Sequence, residues 1–316
     1  AQTARVSLNR IREIAVADTQ TEMDMVLGFL TQSNEAAGDN PSLEDRRKGM
    51  DTLGDVMPLA TGASVEDVEL GGVSGLKITP AETLGARTLL YFHGGGYILG
   101  SPASHRAFVS ELTTRLKATA YSMDYRLAPE APFPAAPEDG LATYRGLLDM
   151  GIDAADIIIA GDSAGGGLTM ATALKIKETG LPQPAALMPI SPWVNMACDG
   201  WAFSVMDGRD PMITYDGLSD MAANYLNGAD AGNPIASPIH ADLSGLPPML
   251  IQVGSEEALL SDSTTLAERA GAARVDVTLE IWPGMIHVFQ VFHAMLSDAR
   301  RAMDHMAHWS EKRWKA

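Results

Sequence analysis

The chain of 316 residues is 46% hydrophobic and 20% charged with a mean hydropathy of zero, the balance of a globular protein with enough length for one large core. Forty acidic against 23 basic residues give a formal charge of −17, which sets the chain against nucleic acid and anionic membrane surfaces as partners. A single cysteine, Cys198, rules out an internal disulfide and a thiolate metal site, and the seven histidines show no metal-binding spacing, so no metal or other cofactor is implied.

Residues 1–50 are charged and helix-prone, with an apolar cluster at Met23, Met25, Val26, Leu27, Phe29 and Leu30. They read as a helical cap segment of one or two amphipathic helices. Arg5, Arg10, Arg12 and Glu13 spoil a signal-peptide reading, so the cytoplasm is the default location, although a chain beginning at Ala1 is compatible with a removed leader. No window approaches 18 uninterrupted apolar residues, so no membrane span and no stable membrane association are expected.

From Val65 the texture changes to short β-prone runs alternating with helical stretches bounded by Gly and Pro. Strands are expected over 65–70, 73–79, 87–93, 118–124, 156–161, 185–190, 248–254 and 276–282. Helices are expected near 104–117, 134–149, 164–178, 262–273 and 291–311. Continuous apolar runs such as Leu89–Phe92 and Ile157–Ala160 suit strands covered on both faces. The alternation predicts an α/β fold, with a mostly parallel sheet of about eight strands and helices on both faces. One segment breaks the rhythm: almost sixty residues separate the strand at 185–190 from the one at 248. The part over about 195–235 reads as a helical insertion packed over the sheet. Residues 51–316 then form the main domain.

Three loops at strand ends carry chemistry. His93-Gly94-Gly95-Gly96-Tyr97 ends the third run, and its glycines leave backbone amides able to face a cavity that a Cβ would obstruct. Gly161-Asp162-Ser163-Ala164-Gly165 follows Ile157–Ala160 and opens a helix, the context in which such a pentapeptide holds a nucleophilic serine on a sharp turn. Amides of Gly94, Gly95, Gly96 and Ala164 are then candidates to hold an oxyanion, and sequence does not say which glycines contribute. His287, in a Pro-Gly loop after the last strand, is the preferred base, with His105 as its rival; His93 reads as a structural anchor of the glycine loop. Glu256, Glu257 and Asp262 follow the preceding strand, and any of them is a candidate orienting acid. Tyr97, Asp162, Trp193, Phe203 and Met206 are candidates for the wall of a substrate pocket.

Together these segments resemble the hormone-sensitive-lipase-like esterases, also called bacterial family IV, a branch of the α/β-hydrolase superfamily. The resemblance rests on His93–Tyr97 and on Gly161–Gly166. It extends to Asp124-Tyr125-Arg126-Leu127-Ala128-Pro129-Glu130, Ser191-Pro192-Trp193, Asp210-Pro211-Met212 and the run from Ser237 to Pro248, all in the family's order. It implies an α/β-hydrolase fold with a cap built from the N-terminal helices and the insertion, and an acid thirty residues before the catalytic histidine. That spacing selects Glu257, where the family usually has aspartate. Asn195 is a second departure, again where aspartate is usual.

The activity implied is hydrolysis of short- to medium-chain carboxylic esters through an acyl-enzyme on a Ser163–His287–Glu257 triad, with a small-molecule ester as the partner. Amide or lactone hydrolysis and acyl transfer by the same triad are the alternatives. A non-catalytic receptor of this fold is disfavoured because His287 is retained. Homodimers are common in the family, but no residue pattern marks an interface.

Overall fold

The computed structural model describes residues 20–314 apart from 34, 37, 39, 40 and 207. Among the described residues eight strands form one sheet: β1 (Ser64–Leu70), β2 (Val73–Thr79), β3 (Thr88–Phe92), β4 (Thr119–Met123), β5 (Ile157–Asp162), β6 (Ala186–Ile190), β7 (Met249–Gly254) and β8 (Val277–Trp282). Each matches an expected run, its ends within one residue. Their spatial order is β1-β2-β4-β3-β5-β6-β7-β8. β2 runs antiparallel to both β1 and β4, and every later pairing is parallel.

Side chains alternate across the sheet, so each central strand feeds two cores. Leu89, Tyr91, Ile158 and Ala160 meet helices α3 (Pro102–Leu116) and α9 (Ser297–Ser310) through residues such as Phe108, Leu112, Met303 and Met306. Leu90, Phe92, Ile157 and Ile159 meet α4 (Ala135–Asp149), α5 (Ala164–Thr179) and α8 (Leu260–Ala272) on the other face. Double coverage explains why these strands read as unbroken apolar runs.

β3 lies between β4 and β5: the chain leaves it through α3 on one face to reach β4, and returns past it through α4 on the other face to reach β5. Phe92, the last residue of β3, is in register with Gly161 near the end of β5. The loops that follow these two strands therefore start side by side at the carboxyl edge, where open α/β sheets place their ligand sites.

The N-terminal helices attach at two separate places. Helix α2 (Leu43–Val56) packs on α3, and Arg47 clamps it down. The Arg47 guanidinium donates to the carbonyls of Ile98 (2.8 Å) and Ala128 (2.9 Å) and pairs with both oxygens of Glu130. The expected segment boundary at residue 50 falls inside this helix. Helix α1 (20–33) instead buries Met23 and Val26 among Trp282, Met285, Ile286 and Phe289, beside β8 and α9. The first 19 residues of the expected cap segment lie outside the described residues.

The helix expected over 291–311 is broken. A 3₁₀ turn at Phe289–Phe292 comes first, and α9 begins only at Ser297, where Leu296 offers no side-chain cap. Glu22 of α1 supplies one from a distance, accepting the Ser297 amide at 2.7 Å and its hydroxyl at 2.5 Å. The insertion forms two helices, α6 (Trp201–Met206) and α7 (Tyr215–Leu226). Met221 of α7 joins Leu43 and Met50 of α2 against Ile98, Leu99 and Ala128. No helix among the described residues is long and apolar enough to cross a membrane.

Candidate active site

Ser163 stands on the turn between β5 and α5 with φ 54° and ψ −119°, a strained conformation for a residue with a Cβ. Its backbone is fully committed. The amide donates to Ile190 O (2.8 Å), and its carbonyl accepts from Gly167 (3.0 Å) and Trp193 (2.9 Å). The turn closes tightly enough that a Cβ on Gly161 would collide with the Gly165 carbonyl, and one on Gly165 with the Phe92 carbonyl. Both glycines are therefore required for β3, β5 and α5 to approach.

The glycine loop is fixed from the residue beside the serine. Asp162 Oδ1 accepts the Gly94 amide (3.0 Å) and the Tyr91 hydroxyl (2.5 Å), and Oδ2 faces His105 Nε2 at 3.4 Å. Burial pushes the Asp162 carboxyl up, but the charge and hydrogen bond of His105, with Tyr91, hold it below its ordinary value. The same pairing raises His105 against the effect of burial. His93 is pushed down to about 3 by burial and by His105. It stacks on Tyr125, whose hydroxyl donates to the His93 carbonyl at 2.7 Å. The rival base His105 is thus engaged beneath the loop. Gly95 and Gly96 both have positive φ, and Met221 packs where a Cβ on Gly96 would be.

On the far side, Glu257 Oε2 lies 2.7 Å from His287 Nδ1, with the two side chains 0% and 3% exposed. Oε1 accepts from the Ser191 hydroxyl (2.8 Å) and the Gly254 amide (2.5 Å), so three donors satisfy this buried carboxylate. Burial would lower the His287 pKa, but the hydrogen bond and charge of Glu257, then the charges of Asp210 and Asp162, raise it above the ordinary value. The loop that carries His287 is stitched to the turn that carries Glu257. Ser255 N donates to Trp282 O, Glu256 N to Met285 O, and Gly284 N to the Ser255 hydroxyl. Among the described residues Ser163 Oγ makes no hydrogen bond to His287; contacts between a nucleophile and its base are commonly longer than a full hydrogen bond outside the reacting complex.

Of the other candidate acids, Glu256 accepts from the Ser255 hydroxyl at 3.0 Å, and Asp262 does not face His287. Its Oδ2 accepts the amides of Val194 and Asn195, each at 3.0 Å, and burial pushes its carboxyl up to about 7 against those two bonds. Asn195 uses its side-chain amide on Asp199 (2.7 Å).

The five residues expected to line a pocket are largely spent on internal contacts. Asp162 braces the glycine loop. Tyr97 stacks on Tyr225 with ring centroids 3.9 Å apart, and Trp193 donates from Nε1 to Asn195 O at 3.1 Å. Phe203 is edge-on to Tyr215, and Met206 packs with Val253 and Leu260. The space between sheet and insertion has to be filled, and large side chains at strand ends fill it. Ser191 and Asp210 received no role from the sequence, although both begin tripeptides that attracted notice. Each is buried; Ser191 Oγ accepts one backbone amide, from Val288, and Asp210 accepts three.

Residues 89–291 match the model of a family described as having the alpha/beta hydrolase fold. The chain belongs to this α/β-hydrolase family. Similar proteins place it in the hormone-sensitive-lipase branch. A hormone-sensitive lipase from a metagenome library is 49% identical, with a TM-score of 0.89 over 92% of this α/β-hydrolase and 98% of that chain. An esterase from the bacterial hormone-sensitive lipase family is 38% identical, with a TM-score of 0.90 over 93% of this chain and 99% of that one. A protein of Streptomyces hygroscopicus named acetyl-hydrolase is 45% identical over 237 residues, 75% of this chain and 79% of its own.

Proposed function

We propose that this α/β-hydrolase is a carboxylesterase that cleaves short- to medium-chain acyl esters through an acyl-enzyme on Ser163. The observation that carries the proposal is the Glu257–His287 contact of 2.7 Å, made by a carboxylate whose other oxygen is fully bonded. An acid held in this way fixes one imidazole tautomer, with Nδ1–H toward Glu257 and Nε2 left to accept a proton.

In this reading Ser163 Oγ attacks the ester carbonyl while His287 Nε2 takes its proton. The imidazolium then delivers the proton to the departing alcohol. Water, activated by the same nitrogen, releases the acid and restores Ser163. Glu257 stabilises the imidazolium in both halves. Because the Gly94 amide is already bonded to Asp162, the donors assigned to the oxyanion are Gly95, Gly96 and Ala164. Donors of this kind each contribute on the order of 3 kcal/mol to the transition state.

The preference for small acyl groups is supported by the name acetyl-hydrolase on one relative and by Met221 packed against the glycine loop, where it limits room. The test is hydrolysis of p-nitrophenyl esters from acetate to palmitate by wild type and Ser163→Ala. The expected result is a maximum at short or medium chains and loss of turnover in a folded Ser163→Ala. A maximum on long, emulsified chains would overturn the substrate class, and near-normal activity of Ser163→Ala would overturn the mechanism.

A further inference from the structure

Asp210 lies in the insertion between α6 and α7, and it is only 5% exposed. Its Oδ1 accepts the amides of Met212 (2.9 Å) and Ile213 (3.0 Å), which fixes the carboxylate on its own loop. Its Oδ2 reaches across to the Ala258 amide at 3.0 Å, and Ala258 directly follows Glu257. The turn that carries the triad acid is thus held on one side by the sheet, through Gly254, and on the other by the insertion.

Among the described residues no Lys or Arg pairs with Asp210, so three neutral amides are its hydrogen-bonding partners. Three amide donors satisfy this buried carboxylate, and in a site with little water its charge still acts on a positive charge that arises nearby. His287 acquires such a charge during each half-reaction. The negative charges that raise the His287 pKa are Glu257, hydrogen-bonded to Nδ1, then Asp210 of the insertion and Asp162 at the end of β5.

We propose that Asp210 is a positioning residue of the esterase site: it holds the Glu257 turn from the insertion and supplies a second negative charge to the His287 imidazolium. This rests on the reading of Glu257 and His287 given above. It also means that the insertion, beyond covering the sheet, is wired to the acid–base pair through a single carboxylate.

The test is the pH dependence of p-nitrophenyl butyrate hydrolysis in wild type, Asp210→Asn, Asp210→Ser, Asp210→Glu and Glu257→Gln. Removing an anion near His287 makes the imidazolium easier to deprotonate. In the two neutral variants the acid limb of kcat/KM should therefore move down by about half a pH unit or more. Their kcat should fall roughly 10- to 100-fold with KM within about 2-fold of wild type. Asp210→Glu, which keeps the charge, should keep the limb. An unmoved limb in a neutral variant that is folded by circular dichroism would overturn the proposal. So would failure of both neutral variants to fold, since the residue would then be a structural strut. Wild-type activity in Glu257→Gln would instead overturn the underlying triad, which keeps the two failures apart.

Discussion

Asp162 Oδ1 accepts the Gly94 amide at 3.0 Å, joining the residue before Ser163 to the first glycine of the loop on the neighbouring strand. The same side chain reaches Tyr91 and His105, so one buried carboxylate ties β5, β3 and α3 together beneath the site. Its consequence for activity is indirect: it sets where the remaining glycine amides point.

Asp162→Asn removes the charge and offers the Gly94 amide a side chain that can turn a competing donor toward it. We expect kcat to fall roughly 10- to 100-fold with KM little changed, as measured with p-nitrophenyl butyrate. Stability should follow in a defined window. The folded Asp162 carboxyl titrates below its ordinary 3.8, so its contribution is complete above that value and is lost as pH falls through the folded pKa. The folded His105 titrates above its ordinary 6.5, so its contribution is complete below that value and is lost as pH rises through the folded pKa. Wild type should exceed Asp162→Asn in thermal stability most between roughly pH 4 and 6.5, with the margin shrinking on either side.

Glu257 and Asp262 lie five residues apart and should separate cleanly in kinetics. Glu257→Gln should lower kcat by about 10³- to 10⁴-fold, because a neutral amide neither fixes the tautomer nor stabilises the imidazolium. Asp262→Asn still offers an oxygen to the Val194 and Asn195 amides, and its kcat should stay within about 10-fold of wild type. Equal losses in the two variants would contradict the assignment.

Asp262 should show itself in stability instead. Its folded carboxyl, pushed up to about 7 by burial, holds a proton that the unfolded chain has already released. Stability must then fall as pH rises from about 4 through 7, the reverse of the Asp162 case. Asp262→Asn has nothing to titrate there, so melting curves of variant and wild type should converge in acid and separate in the variant's favour near pH 8. A gap that is constant with pH would refute the buried titration.

Glu22→Ala leaves the Ser297 amide at the start of α9 without its acceptor. A loss of about 1 kcal/mol is expected, a shift of about 2 °C in Tm for a chain of this size. Scanning calorimetry would detect it, while ester turnover should be unchanged. A fall in kcat would instead mean that the α1 contact with Met285 and Ile286 governs the His287 loop.

Much of the architecture was legible because its causes are local. Doubly covered strands leave unbroken apolar runs, and Gly161 and Gly165 mark a turn that no side chain could pass. Ser163 and His287 were read as candidate nucleophile and base from their positions at strand ends. What escaped has its origin in contacts distant along the chain. Nothing near Gly94 announces that its amide belongs to Asp162, and nothing near Ser297 announces that Glu22 caps it. Asp162 was expected at a pocket wall, and its side chain is bonded to Tyr91, Gly94 and His105 beneath the glycine loop. The preference for Glu257 over Asp262 needed a family spacing, because both are buried acidic residues after the same strand and only the partners their oxygens meet distinguish them. Strand order, with β3 between β4 and β5, is likewise a property of the assembled sheet.

The register of Phe92 with Gly161 has a wider consequence. Adjacent parallel strands sit about 4.8 Å apart by the hydrogen-bond ladder itself. The separation between the glycine loop and the serine turn is therefore measured off by the backbone, independently of whatever covers them. Such a ruler lets the insertion at about 195–235 drift, lengthen or be exchanged while Ser163 and the glycine-loop amides keep their spacing. Recruiting a new ester would then be a matter of rewriting the cover, provided that the replacement still presents a carboxylate to Ala258.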